Sequence, residues 1–317
     1  HSNVSIGFSA LCTNTTGDKN VAIGHQSLLS LTTADDNTAV GYNSLRVNTT
    51  GTQNTAVGVS ALTAATTGGC NAAFGNCALL GNTIGCQNAA FGEGTLRCNT
   101  EGNQNTAIGR QTLFNNTTAD HNTAAGYQAL VANSTGEDNV AVGTSALAAN
   151  TTASNNTAVG YVALTLNTEG TNLVAVGAGA LDANTTASNN TAVGKTSLGG
   201  NTTGASNTAV GSSALAVNTT GAENTAVGKQ SMVTTTTGAS NTAVGTQSLY
   251  SNTEGASNVA IGLGALFANT TADGNTAVGV SALTANTTGA SNTAIGFQSA
   301  CRITEGVNNI SVGSNSL

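Results

Sequence analysis

A glycine recurs every 17 residues along this chain, from Gly7, Gly24 and Gly41 to Gly296 and Gly313, and its register never slips. A short period kept without insertion is the mark of a solenoid. Each repeat is one coil, and a coil cannot bury its apolar face without its neighbours. With the recurring glycine set as position 5, the unit reads N-T-A-V-G-x-x-A-L-x-x-N-T-T-G-x-x, as from Asn207 to Glu223. Position 1 is Asn in every copy except Leu173. Position 3 is Ala or Ser, position 4 is Val, Ile or Phe except at Ala125, and position 8 is Ala, Ser or Thr. Position 9 is Leu except at Met232 and Ala300.

These restrictions predict an all-β parallel β-solenoid of about 19 coils, forming a single repetitive domain over 1–317. Alternation along an extended segment puts positions 2 and 4 on one side and 1, 3 and 5 on the other. The size and apolarity of position 4 predict that it faces the core, with position 2 beside it. Leu at position 9 then closes the core from a second strand. One coil becomes two short strands, N-T-A-V-G and A-L-x-x-N, joined by two turns. In N-T-T-G the glycine suits a positive φ, and Asn and Thr suit local hydrogen bonds. Stacked copies place like residues above one another, so Asn at position 1 is expected to bond its counterparts. The small residues at position 3 have two readings. Either another backbone packs closely against the outside, or the coil is so thin that position 3 is also core.

Competing architectures fail on composition. Asn, Thr and Gly fill every repeat and are poor in helix interiors. Collagen needs glycine every third residue, and this chain also has no proline. Disorder is opposed by an apolar ladder that holds its register throughout. Charged residues make up 7% of the chain, the net charge is −7, and the seven Lys and Arg are scattered. That pattern argues against nucleic acid, whose phosphates need a basic footprint. It also argues against an anionic membrane surface. No apolar run approaches the ~18 residues a membrane span needs, so membrane insertion is not expected.

The six cysteines lie outside the repeat consensus. Cys70 at position 17 and Cys86 at position 16 fall on neighbouring coils, within expected disulfide reach. Cys77 and Cys98, at positions 7 and 11 of adjacent coils, are a looser second pair. Cys12 and Cys301 share position 10 near opposite ends of the sequence, which makes them inter-subunit candidates if coils stack head to tail. Zinc is not expected, because no C-x-x-C or Cys/His spacing occurs. His1, His25 and His121 are far apart, and no catalytic triad or cofactor motif can be drawn from spacing. Glu101, Glu169, Glu254 and Glu305 recur at position 14 but never on adjacent coils, so they form no paired carboxylates. Asp18, Asp35 and Asp36 form an acidic turn patch without the calcium-binding repeat signature. Together these features predict no enzyme and no cofactor.

Ten N-x-[S/T] sequons fall at position 12: Asn14, Asn48, Asn116, Asn133, Asn150, Asn184, Asn201, Asn218, Asn269 and Asn286. In a turn, each is a glycosylation candidate. The same Asn and Thr also serve turn hydrogen bonding, as in Asn82-Thr83-Ile84, where no sequon exists.

The pentapeptides N-T-A-V-G (Asn207 to Gly211) and N-V-A-I-G (Asn20 to Gly24, Asn258 to Gly262) resemble the head-domain repeat of trimeric autotransporter adhesins. They are also similar to repeat shafts of bacterial and phage tail-fibre-like proteins. The resemblance covers essentially the whole chain as a repeat, with a longer period than the adhesin pattern. It implies a left-handed parallel β-roll, often trimeric, on a cell or virion surface. The expected function is therefore an extracellular structural fibre or appendage, adhesive in some relatives. The expected partners are other copies of the chain, in a head-to-tail filament or a homotrimer. Two alternatives stand beside it. One is a shaft whose variable positions 6, 7, 10 and 11 bind a glycan or receptor. The other is an ice-binding solenoid, which needs an exposed flat array of Thr, whereas Thr at positions 13 and 14 is expected in a turn.

Overall fold

A computed structural model of the chain describes residues 2–317. It contains nineteen β-strands of three residues each, and among the described residues no helix. The chain divides into two units, His1–Asn156 and Thr157–Leu317. Unit 1 holds β1 (Val4–Ile6) through β9 (Val140–Val142), and unit 2 holds β10 (Thr157–Val159) through β19 (Ile310–Val312). Within each unit, successive strands pair in parallel at the repeat spacing. Val4 lies opposite Val21 and Thr123 opposite Val140 in unit 1, and Thr191 lies opposite Thr208 in unit 2. Each unit is thus an all-β parallel β-solenoid with one coil per repeat, as the glycine period predicts.

Six positions of the coil face inward: 1, 3, 8, 9, 12 and 15. In the coil from Asn37 to Gln53, Asn37, Ala39, Ser44, Leu45 and Asn48 expose no surface, and Gly51 is buried. Leu at position 9 is core, as expected. The strand, however, faces the opposite way from the expectation. Ala56, Ala209 and Ala226 at position 3 are fully buried, whereas Val210, Val227 and Val244 at position 4 are 36–37% exposed. The reason is thickness. A closed coil of 17 residues has room beneath its strand for a Cβ and little more. The β-branched residues then sit outside, where they still favour extended backbone.

The expected second strand is also missing, because positions 6 to 11 form turns. Their geometry is unusual for non-glycine residues. Gln26, Leu28 and Asp36, at positions 7, 9 and 17, have φ of 56°, 48° and 60°, and most coils repeat this. A left-handed residue costs about 1–2 kcal/mol. At position 9 that cost is offset by turning a Leu fully inward, worth about 1.5–3 kcal/mol. The N-T-T-G glycine does not take the positive φ expected of it. Gly51 is not left-handed, and Ala34 and Ala119 replace glycine at that position. The left-handed glycine is instead the recurring one at position 5, with φ from 125° at Gly313 to 144° at Gly160.

The asparagine ladder at position 1 is present. The Asn37 backbone N–H donates to Asn20 Oδ1 at 3.0 Å, and Asn54 donates to Asn37 Oδ1 at 3.0 Å. In unit 2 the Asn207 N–H donates to Asn190 Oδ1 at 2.8 Å. Leu173 has no side-chain oxygen to offer the Asn190 N–H one coil further on. Leu173→Asn supplies that acceptor and should stabilise unit 2 by about 1 kcal/mol. Urea unfolding checks this, and an unchanged or lowered midpoint would show that apolar packing at Leu173 outweighs the ladder bond.

Candidate functional site

The outward positions form two surfaces in each unit. The first is the strand face, built from positions 2 and 4. It carries no charged residue in any repeat. The larger Phe91, Ile108 and Ile295 stand further out at 41–50% exposure, while Val159, Val176, Val210, Val227 and Val244 all lie within 36–37%. Thr191, Thr208, Thr225 and Thr242 stand beside them at position 2, half-buried. The hydroxyls of position 13 behave differently. Thr49 Oγ1 donates to the Thr66 carbonyl at 3.0 Å, and Thr83 Oγ1 donates to Thr100 at 2.9 Å, so these Thr serve the coil stack.

The second surface is the turn edge, where the variable positions line up in rows. Phe8, His25 and Tyr42 at position 6 stack with centroids 5.3 and 5.2 Å apart. Tyr250 and Phe267 at position 10 stack at 4.9 Å. Gln128 Nε2 donates to Gln111 Oε1 at 3.0 Å along position 7. The in-register stacking of like positions is what the period requires.

One interruption of these rows forms a cleft. Gly94 occupies position 7, where Cys77 and Gln111 flank it on the adjacent coils. With no side chain there, a space of about 160 Å³ opens, lined by Asn76, Glu93, Arg97, Gln111 and Phe114 among others. The Arg97 guanidinium lies 5.5 Å from the Phe114 ring centroid, a cation–π stack. Glu93 accepts a charge-assisted bond from Arg110 Nε at 3.1 Å. Of the residues around the cleft, Cys77 alone was singled out from the sequence, as a disulfide candidate. The available signal was that glycine takes position 7 in three repeats alone, at Gly94, Gly179 and Gly264, each five coils from the next. At the second of these, Asp182 lies near Gly179, and burial raises its carboxyl pKa against the pull of the Asp182 and Ala183 backbone N–H groups.

The residues predicted from sequence fare differently. All six cysteines are free, so neither Cys70–Cys86 nor Cys77–Cys98 is a disulfide. The cause is strict same-position stacking. Cys86 Sγ accepts from the Gly69 N–H at 3.4 Å, while Cys70 Sγ pairs with Gln53 Oε1 at 3.3 Å. Each thiol is thereby held over its own position in the preceding coil. Cys12 is exposed and Cys301 half-buried. Titration of unfolded, unreduced protein should find six reactive thiols, and a count of four or two would contradict the free state.

The sequon asparagines do not stand clear of the coil. Asn48, Asn116, Asn133, Asn150, Asn184, Asn201, Asn218, Asn269 and Asn286 expose no surface, and Asn14 is half-buried. Where asparagines hold position 12 on successive coils, their amides form a second internal ladder, as Asn116 Nδ2 donates to Asn99 Oδ1 and Asn286 Nδ2 to Asn269 Oδ1. Asn14 and Asn48 instead sit beside Leu31 and Ala65 and bond their own turns, at Gly17 and Gly51. Asn99 Nδ2 donates to Asn82 Oδ1 at 2.7 Å and to the Gly102 carbonyl at 2.9 Å. A glycan takes the place of one of the two Nδ2 hydrogens, so at such a buried amide it would remove one of these two bonds and would have to displace the packed coil around it.

His25 and His121 are exposed, and His1 lies outside the described residues. His121 Nε2 pairs with Gln104 Oε1 at 2.5 Å, and its Nδ1 lies 3.6 Å from Asp138 Oδ1. Glu101, Glu169, Glu254 and Glu305 are exposed. The acidic turn residues act as backbone acceptors. Asp35 Oδ1 accepts from the Asp18 N–H at 2.6 Å. The Ser2 and Lys19 N–H groups donate to Asp18 and hold its carboxyl below the usual pKa. Among the described residues no three His, Cys, Asp or Glu gather as a metal site. Nor is any helix there long and apolar enough to cross a membrane.

No protein-family model matches this chain, and no curated protein matches it in sequence.

Proposed function

We propose that this chain is the shaft of an extracellular structural fibre or surface appendage. The observation that carries the reading is the uniform register inside each unit. Six inward positions repeat without exception of register, and two asparagine ladders bond coil to coil over long runs, interrupted at Leu173 in one and at Leu31, Ala65, Thr235 and Ile303 in the other. Such stacking gives stiffness from summed neighbour contacts and presents long surface rows. The sequence resemblance to adhesin heads and fibre shafts supports the same reading. In it, the shaft assembles with further copies of itself, and adhesion is a property of the turn-edge rows. Electron microscopy of native material should show slender filaments, and their diffraction should give an axial spacing of about 4.8 Å. Antibody should label intact cells or particles. Discrete round particles, or label seen after permeabilisation alone, would remove this reading.

The strand face favours a second reading, an ice-binding surface. The Thr at positions 13 and 14 lie in a bend, as expected, and those at position 13 are bonded along the stack. Position 2 offers the outward alternative, with half-buried Thr beside the Val of position 4 in uncharged ranks. Thermal hysteresis or inhibited ice recrystallisation is the expected result of this reading, and loss of the effect in Thr208→Lys would localise it. Ordinary ice growth in the presence of the wild-type protein would dismiss it.

A further inference from the structure

We infer that the cleft at Gly94 binds a single acidic sugar ring. The inference goes beyond the fibre reading and stands whether or not the chain forms fibres. The cleft exists because a row is broken. Backbone bonds from Gly94 N to the Asn76 carbonyl, at 2.9 Å, and from Gln111 N to the Glu93 carbonyl, at 3.0 Å, keep the coils in register across it. The space lies over Gly94, framed by Cys77 and Gln111 at position 7, Asn76 and Glu93 at position 6, and Arg97 and Phe114 at position 10.

Charge selects the ligand. The chain is acidic, with seven Lys and Arg in all, yet Arg97 and Arg110 both stand at this cleft or its rim. Arg110 is committed to Glu93. Arg97 makes no ion pair among the described residues, and its guanidinium stands over the Phe114 ring at 5.5 Å from the centroid. A guanidinium in that state is a fork for a carboxylate. Asn76, Gln111 and Glu93 add an amide, a second amide and a carboxylate at the same opening, a set that can both donate to and accept from neighbouring hydroxyls. A space of about 160 Å³, open to solvent on one side, is of the size of one pyranose ring. The smallest common sugar ring that carries both hydroxyls and a carboxylate is a hexuronate, and that is the ligand class assigned.

The test titrates D-glucuronate into isotope-labelled full-length protein, followed by NMR. D-glucose and N-acetylglycine run in parallel, so that hydroxyl and carboxylate contributions separate. Glucuronate should bind with a Kd of about 1 mM, as one small ring in an open site allows. Glucose and N-acetylglycine should each bind at least about tenfold more weakly. Arg97→Ala should weaken glucuronate about tenfold or more. Gly94→Gln restores the residue found at Gln111 and Gln128, fills the cleft and should abolish binding while the unfolding midpoint stays near wild type. N-acetylglycine binding as tightly as glucuronate would point to a peptide carboxylate and overturn the sugar assignment. Absence of saturable shifts, or glucuronate binding that survives Gly94→Gln in folded protein, would overturn the site.

Discussion

Gly211→Ala should unfold several coils of unit 2 at temperatures the wild type withstands, with a loss of about 3–5 kcal/mol. Two causes act together. Gly211 has φ of 140°, a conformation that side chains resist. A Cβ there would also lie 2.4 Å from the Gly228 carbonyl oxygen and 2.6 Å from its carbon. Those atoms are backbone, held by the parallel ladder from Thr208 to Thr225 and from Thr225 to Thr242. They cannot swing aside as a long side chain would, so adjacent coils must separate. Gly264→Gln is the control. Its φ is 62°, the nearest atom to a Cβ is Ser281 Oγ at 3.9 Å, and Gln230, Gln247 and Gln298 hold the same coil position. That change should cost no more than about 1 kcal/mol. Urea unfolding of the two variants checks the contrast. Equal losses would mean that the position-5 glycines are not the points of closest approach.

This contrast shows which features were legible from residues alone. The period, the parallel stack, the Leu core and the position-1 asparagine ladder follow from recurrence, because a solenoid forces like residues into register. Orientation of the strand does not follow. Parity separates position 3 from position 4, but size and apolarity favour Val inside, and only the narrow bore of the coil reverses the choice. The stricter signal was the restriction of position 3 to Ala or Ser, since an exposed position tolerates larger residues. The turn geometry was less visible still. Leu28 and Leu45 in left-handed conformations contradict local preference, and burial overrides it. The sequons misled for a related reason. N-T-T reads as a surface turn, yet Asn116 and its counterparts point inward to satisfy backbone that a thin coil would otherwise leave buried and unpaired. The cleft at Gly94 arises from a departure from the repeat, and a consensus averages departures away.

Asn116→Asp should destabilise unit 1 by about 3–5 kcal/mol at neutral pH, and most of that loss should disappear in acid. Asn116 exposes no surface. Its Nδ2 donates to Asn99 Oδ1 at 2.7 Å and to the Ala119 carbonyl at 3.1 Å, while its Oδ1 accepts from Asn133 Nδ2 at 3.0 Å. Aspartate keeps the acceptor and replaces the donor with an anionic oxygen facing two other oxygens. Asn99 cannot relieve the conflict by turning its amide over, because its own Nδ2 is bonded to Asn82 Oδ1 at 2.7 Å and to the Gly102 carbonyl at 2.9 Å. Burial and the two facing oxygens both disfavour the carboxylate, so the folded-state pKa of the new group is raised above the unfolded value of about 3.9. Below that unfolded value both states are protonated, and the carboxylic acid O–H donates to one of the two acceptors. As pH rises through the window up to the folded pKa, the unfolded chain ionises first and the stability difference grows, reaching its full size above it. Urea unfolding of wild type and variant at pH 3.5 and pH 7 reads the effect directly. A loss of the same size at both pH values would mean that the Asn116 amide is not held between acceptors, and the internal ladder at position 12 would have to be abandoned as the bond that ties coil to coil.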